Sequence, residues 1–279
     1  MASVDAKISK FPVFIQTSLQ HAWDEISQFY VSTNQWPDDR SPWSENFIND
    51  LLTIWSRSDF VKESCTRYPQ WLSGWSANNS VLYCLKTEAD YRQQLLDEIQ
   101  GESDEAALMS TLREFRRAEM LRIIWRDLLG LAELDETLAD VSALADVCVA
   151  VTLDHLYAQL TLRYGVPMSN LKGQKSVPQR MLVLGMGKHG AKELNVSSDI
   201  DLIFAYHDSG NTTGPKVISN QEFFIKLGQK LILALDKQTT DGFVFRTDMR
   251  LRPYGQSGPL VMNYASLEEY YQSQGRDWE

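Results

Sequence analysis

Apolar residues recur at helical spacing through roughly the first 165 positions of this chain and at strand spacing in much of the remainder. Leu95, Leu96 and Ile99 share one side of a short amphipathic stretch. From about Asp104 to Leu131, Leu108, Leu112, Phe115, Leu121, Ile124 and Leu128 mark one helix face. A third helix is predicted from about Asp140 to Tyr164, carried by Leu144, Val147, Val151, Leu156 and Leu160. Gly165-Val166-Pro167 stops it.

Asn170 to Gln179 is polar, contains Gly173 and Pro178, and reads as a loop. Arg180 to Gly185 then reads as a strand entering a glycine-rich turn. Ile200 to Tyr206 reads as a second strand. Phe224, Leu227, Leu231 and Leu235 predict a helix over Gln221 to Lys237, and Gly242 to Met249 reads as a third strand. Ser266, three residues ahead of Glu269, has the spacing of a capped helix start. The expected fold is α+β, with an all-helical region over 1–168 and a small mixed region over 169–279. No internal repeat or low-complexity tract occurs. The chain stops at Trp278-Glu279 without a terminating Gly or Pro, which predicts a piece of something longer.

Composition narrows the function. Over 279 residues, 43% hydrophobic and 23% charged positions are an ordinary globular mix. The formal charge of −10 argues against a nucleic-acid partner, since phosphate backbones are repelled. Cys65, Cys84 and Cys148 form no disulfide framework or zinc pattern and read as buried free thiols in a reducing compartment. No stretch reaches the roughly 18 apolar residues of a membrane helix. The start lacks a signal-peptide layout. A soluble cytoplasmic protein without a membrane partner is expected. Trp23, Trp36, Trp43, Trp55, Trp71 and Trp75 crowd the first 75 residues and read as helix-packing core rather than a base-stacking platform.

The strongest chemical signal is Gly185-Met-Gly187-Lys188 followed by Ser198-Asp199-Ile200-Asp201-Leu202. Residues two apart in a strand face the same way, so Asp199 and Asp201 are expected side by side. Two such carboxylates in an apolar setting need a positive charge between them, and hard cations such as Mg²⁺ pair carboxylate with phosphate oxygens. Gly185 and Gly187 let the backbone approach a phosphate. The turn is not read as a dinucleotide fingerprint, and the Walker pattern fails because no Gly-Lys-Ser/Thr occurs. A glycine turn after one strand and Asp-x-Asp in the next is the layout of the polymerase-beta-like nucleotidyltransferase fold. That fold places a third carboxylate on a later strand, where Asp248 stands between Arg246, Arg250 and Arg252. Arginines spaced by two are expected to present their forks on one face, toward phosphate oxygens.

Leu184-Gly-Met-Gly-Lys-His-Gly-Ala-Lys-Glu-Leu-Asn-Val-Ser-Ser-Asp-Ile-Asp-Leu-Ile-Phe204 resembles the signature of the glutamine synthetase adenylyltransferase family. Leu112 to Leu128, Phe245 to Gly255 and Gly275-Arg-Asp-Trp-Glu279 are similar to the same family. Its members carry two nucleotidyltransferase units, and the wording here resembles the N-terminal one, assigned to adenylyl removal. The resemblance implies phosphorolysis. Phosphate attacks the α-phosphorus of an adenylyl-tyrosine on glutamine synthetase and releases ADP, while the bifunctional parent also adenylylates with ATP. It implies two Mg²⁺ ions, with Mn²⁺ a possible substitute, held by Asp199, Asp201 and Asp248. Gly185, Gly187, Lys188 and Ser198 would contact phosphate oxygens. Arg250 and Arg252 would contact phosphate or orient Asp248. The PII signal protein is an implied partner, with glutamine opposing. His189 and Lys192 depart from the family's usual turn, away from the carboxylates.

Other residues draw blander readings. Glu193 and Asn195 are expected to fix their loop by local hydrogen bonds. His155 and His207 lack ligand spacing. The arginines at 113, 116, 117, 122 and 126 read first as a solvated helix side, and second as a docking face for an acidic partner. Two rival functions stay open: nucleotide transfer to a different acceptor, and a catalytically silent regulatory module.

Overall fold

The computed structural model describes residues 4–36, 43–77, 80–101, 104–170 and 175–274. The described helices are α1 (Val4–Ile8), α2 (Val13–Ser32), α3 (Glu45–Trp55), α4 (Asp59–Arg67), α5 (Gln70–Ala77), α6 (Ser80–Tyr83), α7 (Glu88–Glu98), α8 (Glu105–Leu128), α9 (Leu134–Tyr164), the single turn α10 (Gly187–Gly190), α11 (Asn220–Asp236) and α12 (Tyr264–Gln274). The strands are β1 (Met181–Met186), β2 (Ile200–Tyr206), β3 (Thr247–Asp248) and β4 (Val261–Asn263). The chain forms two compact units, Met1–Leu85 with Arg117–Thr137, and Lys86–Arg116 with Leu138–Glu279. Along the chain, helix gives way to mixed structure between the end of α9 at Tyr164 and the start of β1 at Met181.

The first unit is helical. Ser44 and Ser58 cap α3 and α4 by accepting from the Phe47 and Val61 amides at 3.2 and 3.3 Å. Trp23, Trp36, Trp43, Trp55 and Trp75 are buried, and Trp71 is half-buried against them. Tyr30 stacks on Trp36 with centroids 4.9 Å apart, and Phe47 stacks on Trp125 at 5.6 Å. These rings pack a core, as expected. Each contributes about 2–3 kcal/mol of burial.

The arginine row of α8 departs from both sequence readings. Arg113, Arg122 and Arg126 are buried. Arg122 donates to Glu119 Oε2 at 3.0 Å and to the Cys84 carbonyl at 3.1 Å. Arg126 donates to the Tyr83 carbonyl at 2.7 Å and pairs with Glu136. The guanidinium forks satisfy loop carbonyls that end short helices, so their charge sits inside rather than in solvent. Cys65 and Cys148 are buried but Cys84 is exposed, a correction to the expectation for all three. Burial pushes the Cys65 thiol up to about 12.

In the second unit, Thr87 and Asp90 form a capping box at α7. Tyr91 donates to Asp140 on α9 at 2.8 Å. Helix α9 begins at Leu134, ahead of the predicted Asp140, with Asp135 and Glu136 in a first turn that favours negative charge. The sheet has β2 at its centre. β1 pairs with it antiparallel, while β3 and β4 pair parallel along its other edge, at residues 200–201 and 204–206. Helix α11 makes the crossover from β2 to β3, capped by Ser219 and burying Phe223, Phe224, Leu227, Leu231 and Leu235.

Three predicted boundaries move. The third strand, expected over Gly242 to Met249, pairs only at Thr247–Asp248, because the Val244 and Phe245 amides donate to the Leu235 carbonyl at the end of α11. β4 was not anticipated; three residues are too few to show alternation. Helix α12 starts at Tyr264 rather than Ser266, and Asn263 Oδ1 accepts from the Ser266 amide at 2.8 Å. Positions 171–174 of the predicted loop, Gly173 among them, lie outside the described residues, as do Gly275 to Glu279. No described helix is long and apolar enough to cross a membrane.

Candidate active site

Asp201 lies where three elements meet. In register it pairs with Met186 at the end of β1 and with Asp248 of β3. Asp199 stands one residue before β2 rather than within it, but the Ile200 amide already donates to the Arg246 carbonyl at 2.9 Å. Ile200 is buried, so Asp199 and Asp201 flank it on the opposite face. Asp236, at the end of α11, accepts from the Thr247 amide at 3.1 Å and holds β3 in line.

The glycine turn closes over this point. Gly187 has φ +54°, and a Cβ there would fall 2.8 Å from Asp201 Oδ2. A Cβ at Gly190 would fall 2.5 Å from the Gly185 carbonyl oxygen. Both positions therefore need glycine. Gly190 stands sixth from Gly185, so the letters Gly-x-Gly-x-x-Gly are present and spacing does not set the dinucleotide fingerprint aside. Topology does: β1 and β2 are antiparallel, whereas that fingerprint opens a parallel strand-helix-strand unit.

The three carboxylates differ in their counter-charges. Arg246 Nε donates to Asp199 Oδ1 at 2.5 Å, and its Nη2 to the Ser197 carbonyl at 2.7 Å. The side chain and amide of Arg250 both donate to Asp248, at 2.7 and 2.8 Å, which holds the Asp248 carboxyl below the usual range. Asp201 is different. Burial and the negative charges of Asp248 and Asp199 raise its carboxyl, outweighing the pull of Arg250 and His189.

Comparison with known proteins decides the kinship of this arrangement. Residues 48–279 match the family model described as glutamate-ammonia ligase adenylyltransferase. The chain belongs to the glutamate-ammonia ligase adenylyltransferase family. It is 50% identical over 238 residues to the bifunctional glutamine synthetase adenylyltransferase/adenylyl-removing enzyme of Pseudomonas aeruginosa, covering 85% of this chain and 24% of the relative. Proteins of the same description from Shewanella loihica and Nitrosococcus oceani are each 42% identical. They cover 95% and 98% of this chain, and 26% and 28% of their own lengths. The chain thus spans about a quarter of the length of these relatives.

In this adenylyltransferase-family chain, the remaining candidates divide. Gly185 and Gly187 form the turn, and Lys188 beside them is exposed. Ser198 is engaged locally, its Oγ donating to Asn195 Oδ1 at 3.0 Å and accepting from the Asn195 amide at 3.2 Å. Asn195 therefore fixes the loop as expected. Arg250 orients Asp248. Arg252 instead donates to the Met249 and Gln256 carbonyls at 2.8 and 3.4 Å, within its own turn. The three arginines do not share one face, because the strand ends at Asp248 and the chain turns. Arg246, read from sequence only as one of the arginines flanking Asp248, instead pairs with Asp199, a partner that its place two residues before Asp248 did not signal. His207 lies against Asp208 at 2.7 Å and His155 against Gln159 at 2.9 Å, both away from the acids. A cavity of about 330 Å³ lined by Tyr206, Ser209, Met262 and Asn263 sits at the other end of β2.

The donor set suits a hard divalent cation: carboxylates alone, from neighbouring strand ends, with Asp201 disfavoured as an anion beside two others. Among the described residues no three His, Cys, Asp or Glu already surround one point. Asp199 and Asp248 are held on Arg246 and Arg250 instead.

Proposed function

We propose that this chain is a nucleotidyltransferase unit of polymerase-beta-like fold, which removes AMP from adenylyl-tyrosine on glutamine synthetase by phosphorolysis. The observation that carries it is the register of Asp201 with Asp248 beneath the Gly187 turn. A phosphate-approachable backbone and clustered carboxylates are the two parts such a transfer needs. The description of the relatives as bifunctional glutamine synthetase adenylyltransferase/adenylyl-removing enzymes supports the substrate and the bifunctional parent.

An oxygen of inorganic phosphate attacks the α-phosphorus of the adenylyl group. The bond from that phosphorus to the tyrosine oxygen breaks, a phosphoanhydride forms, and ADP leaves. The proton of the attacking phosphate ends on the tyrosine. Because phosphate is already ionised near neutral pH, no strong base is needed, and positioning dominates. Asp199, Asp201 and Asp248 would hold Mg²⁺, which when bound neutralises charge building on the transferred phosphoryl oxygens. Arg246 and Arg250, if released from Asp199 and Asp248 by the cation, would meet phosphate oxygens, and exposed Lys188 would add a further positive charge at the turn. ATP in the parent's opposite reaction, the PII signal protein and glutamine as regulators belong to the same reading.

The test is ADP release from adenylylated glutamine synthetase with phosphate and Mg²⁺, using this chain, a version extended past Glu279, and Asp201→Asn in each. ADP that disappears with Asp201→Asn supports the reading. ADP formed equally well without Asp201 overturns the assignment of the site, and ADP from neither protein moves the function toward another acceptor.

A further inference from the structure

The middle of α9 reaches the glycine turn through one carboxylate. Asp146 Oδ1 meets His189 Nε2 at 2.8 Å, and Oδ2 pairs with Lys192 Nζ. His189 and Lys192 stand on either side of Gly190, so a single acid grips both flanks of the turn. Four residues earlier on the same helix face, Ser142 Oγ accepts from the Leu194 amide at 3.2 Å. The segment from His189 to Leu194 is thus fastened to α9 at three places.

This fastening lies directly under the site. The His189 ring is buried, and a Cβ at Gly185 would be 3.2 Å from it, so the imidazole forms the floor on which the turn rests. Lys192 holds φ +62°, a left-handed backbone that a non-glycine residue keeps only when its surroundings hold it there. Above the floor, Gly187 stands against Asp201 Oδ2. A shift of His189 would carry Gly185 and Gly187 with it and change the space beside Asp201. The Asp146 carboxyl agrees with this picture: burial raises it, but hydrogen bonds from His189 and Lys192 together bring it below the usual range.

We propose that Asp146 is a positioning residue for the glycine turn, setting the height of Gly187 over Asp201 and hence the turn's grip on nucleotide phosphates. The inference rests on the reading of that turn as the phosphate-holding element. Asp146 touches no reacting atom, and its influence runs through His189 and Lys192.

The test compares wild type, Asp146→Ala, Asp146→Asn and Lys192→Gly in the full chain. It reads Mg·ADP affinity by calorimetry, Mn²⁺ affinity without nucleotide, and amide exchange of residues 185–194. Asp146→Ala is expected to weaken Mg·ADP by about tenfold or more, since small misplacements at a phosphate site are costly. Lys192→Gly keeps the left-handed backbone and loses one exposed ion pair, so about threefold is expected. Asp146→Asn, which can still meet His189, falls between wild type and Asp146→Ala. Exchange should quicken within 185–194 while Mn²⁺ affinity stays within about twofold. Unchanged exchange in Asp146→Ala and Lys192→Gly overturns the clamp. Faster exchange with unchanged Mg·ADP affinity overturns its bearing on the ligand. Parallel loss of Mn²⁺ affinity and of protection throughout the unit assigns Asp146 to stability alone and overturns the proposal. Wild type that binds no Mg·ADP refutes the phosphate-holding reading itself, whereas the exchange comparison still decides whether Asp146 holds the turn.

Discussion

Replacing Gly187 by alanine tests the geometry of the site with a single methyl group. The substitution acts twice. An L-residue at φ +54° costs about 1–2 kcal/mol in backbone conformation alone. The new Cβ would also stand 2.8 Å from Asp201 Oδ2, so the carboxylate must leave its position, at roughly 0.5–1.5 kcal/mol if it is forced off its rotamer. Together the loss is about 2 kcal/mol, read as faster amide exchange in β2. Exchange is the suitable probe because Trp23, Trp36, Trp43, Trp55, Trp71, Trp75 and Trp125 all belong to the first unit, so tryptophan fluorescence reports chiefly on that unit. Displacing Asp201 should also weaken Mn²⁺ binding by about tenfold, the usual scale for disturbing a ligand's support. The same chemical change at Gly74, a helical position with nothing within 4 Å of a new Cβ, should instead stabilise by about 0.5–1 kcal/mol. Gly187→Ala with wild-type exchange in β2 and wild-type Mn²⁺ affinity would refute the reasoning, since Asp201 would then not lie against the turn.

Three further outcomes are expected. Asp201→Asn should abolish ADP formation yet raise the unfolding temperature in EDTA at neutral pH. The raised Asp201 carboxyl favours the folded state only while protonated and costs stability as pH rises through its folded value, so the gain should vanish in acid. Arg246→Ala should tighten Mn²⁺ binding by up to about fivefold, as Asp199 loses an exposed competing cation; calorimetry that shows weaker binding counts against Asp199 as a ligand. Glu119→Ala should cost the first unit about 3 kcal/mol, measured by urea unfolding with tryptophan fluorescence, because it strips a partner from the buried Arg122 guanidinium.

Much of the site was legible because its signals are local. Ile200 to Tyr206 is a strand over the expected residues, since a buried central strand is a short apolar run bounded by turns. Asp199 and Asp201 flank Ile200 as a two-residue period requires. Arg246, Arg250 and Arg252 were harder to read. Their common face assumed a chain that stays extended beyond the predicted strand end at Met249, but pairing stops at Asp248, where the Arg250 amide turns back to the Asp248 carboxylate. The buried arginines of α8 were misread for a related reason. A charged residue looks solvated in sequence unless its carbonyl partners, tens of residues away at Tyr83 and Cys84, are known.

The sequence by itself determined the α+β class, the helical character of the first 164 residues, the glycine turn and the order in which the three aspartates come after it. These depend on periodicity and on spacing within a few residues, which the chain carries in its own covalent order. Only the tertiary structure decided that Asp248 stands in register with Asp201, that Arg246 takes Asp199 from 47 residues away, and that Asp146 grips the turn from 43 residues away at His189. Those contacts join segments far apart in sequence. They exist only once the crossover helix and the sheet have packed, and no local pattern encodes the distance between two such surfaces.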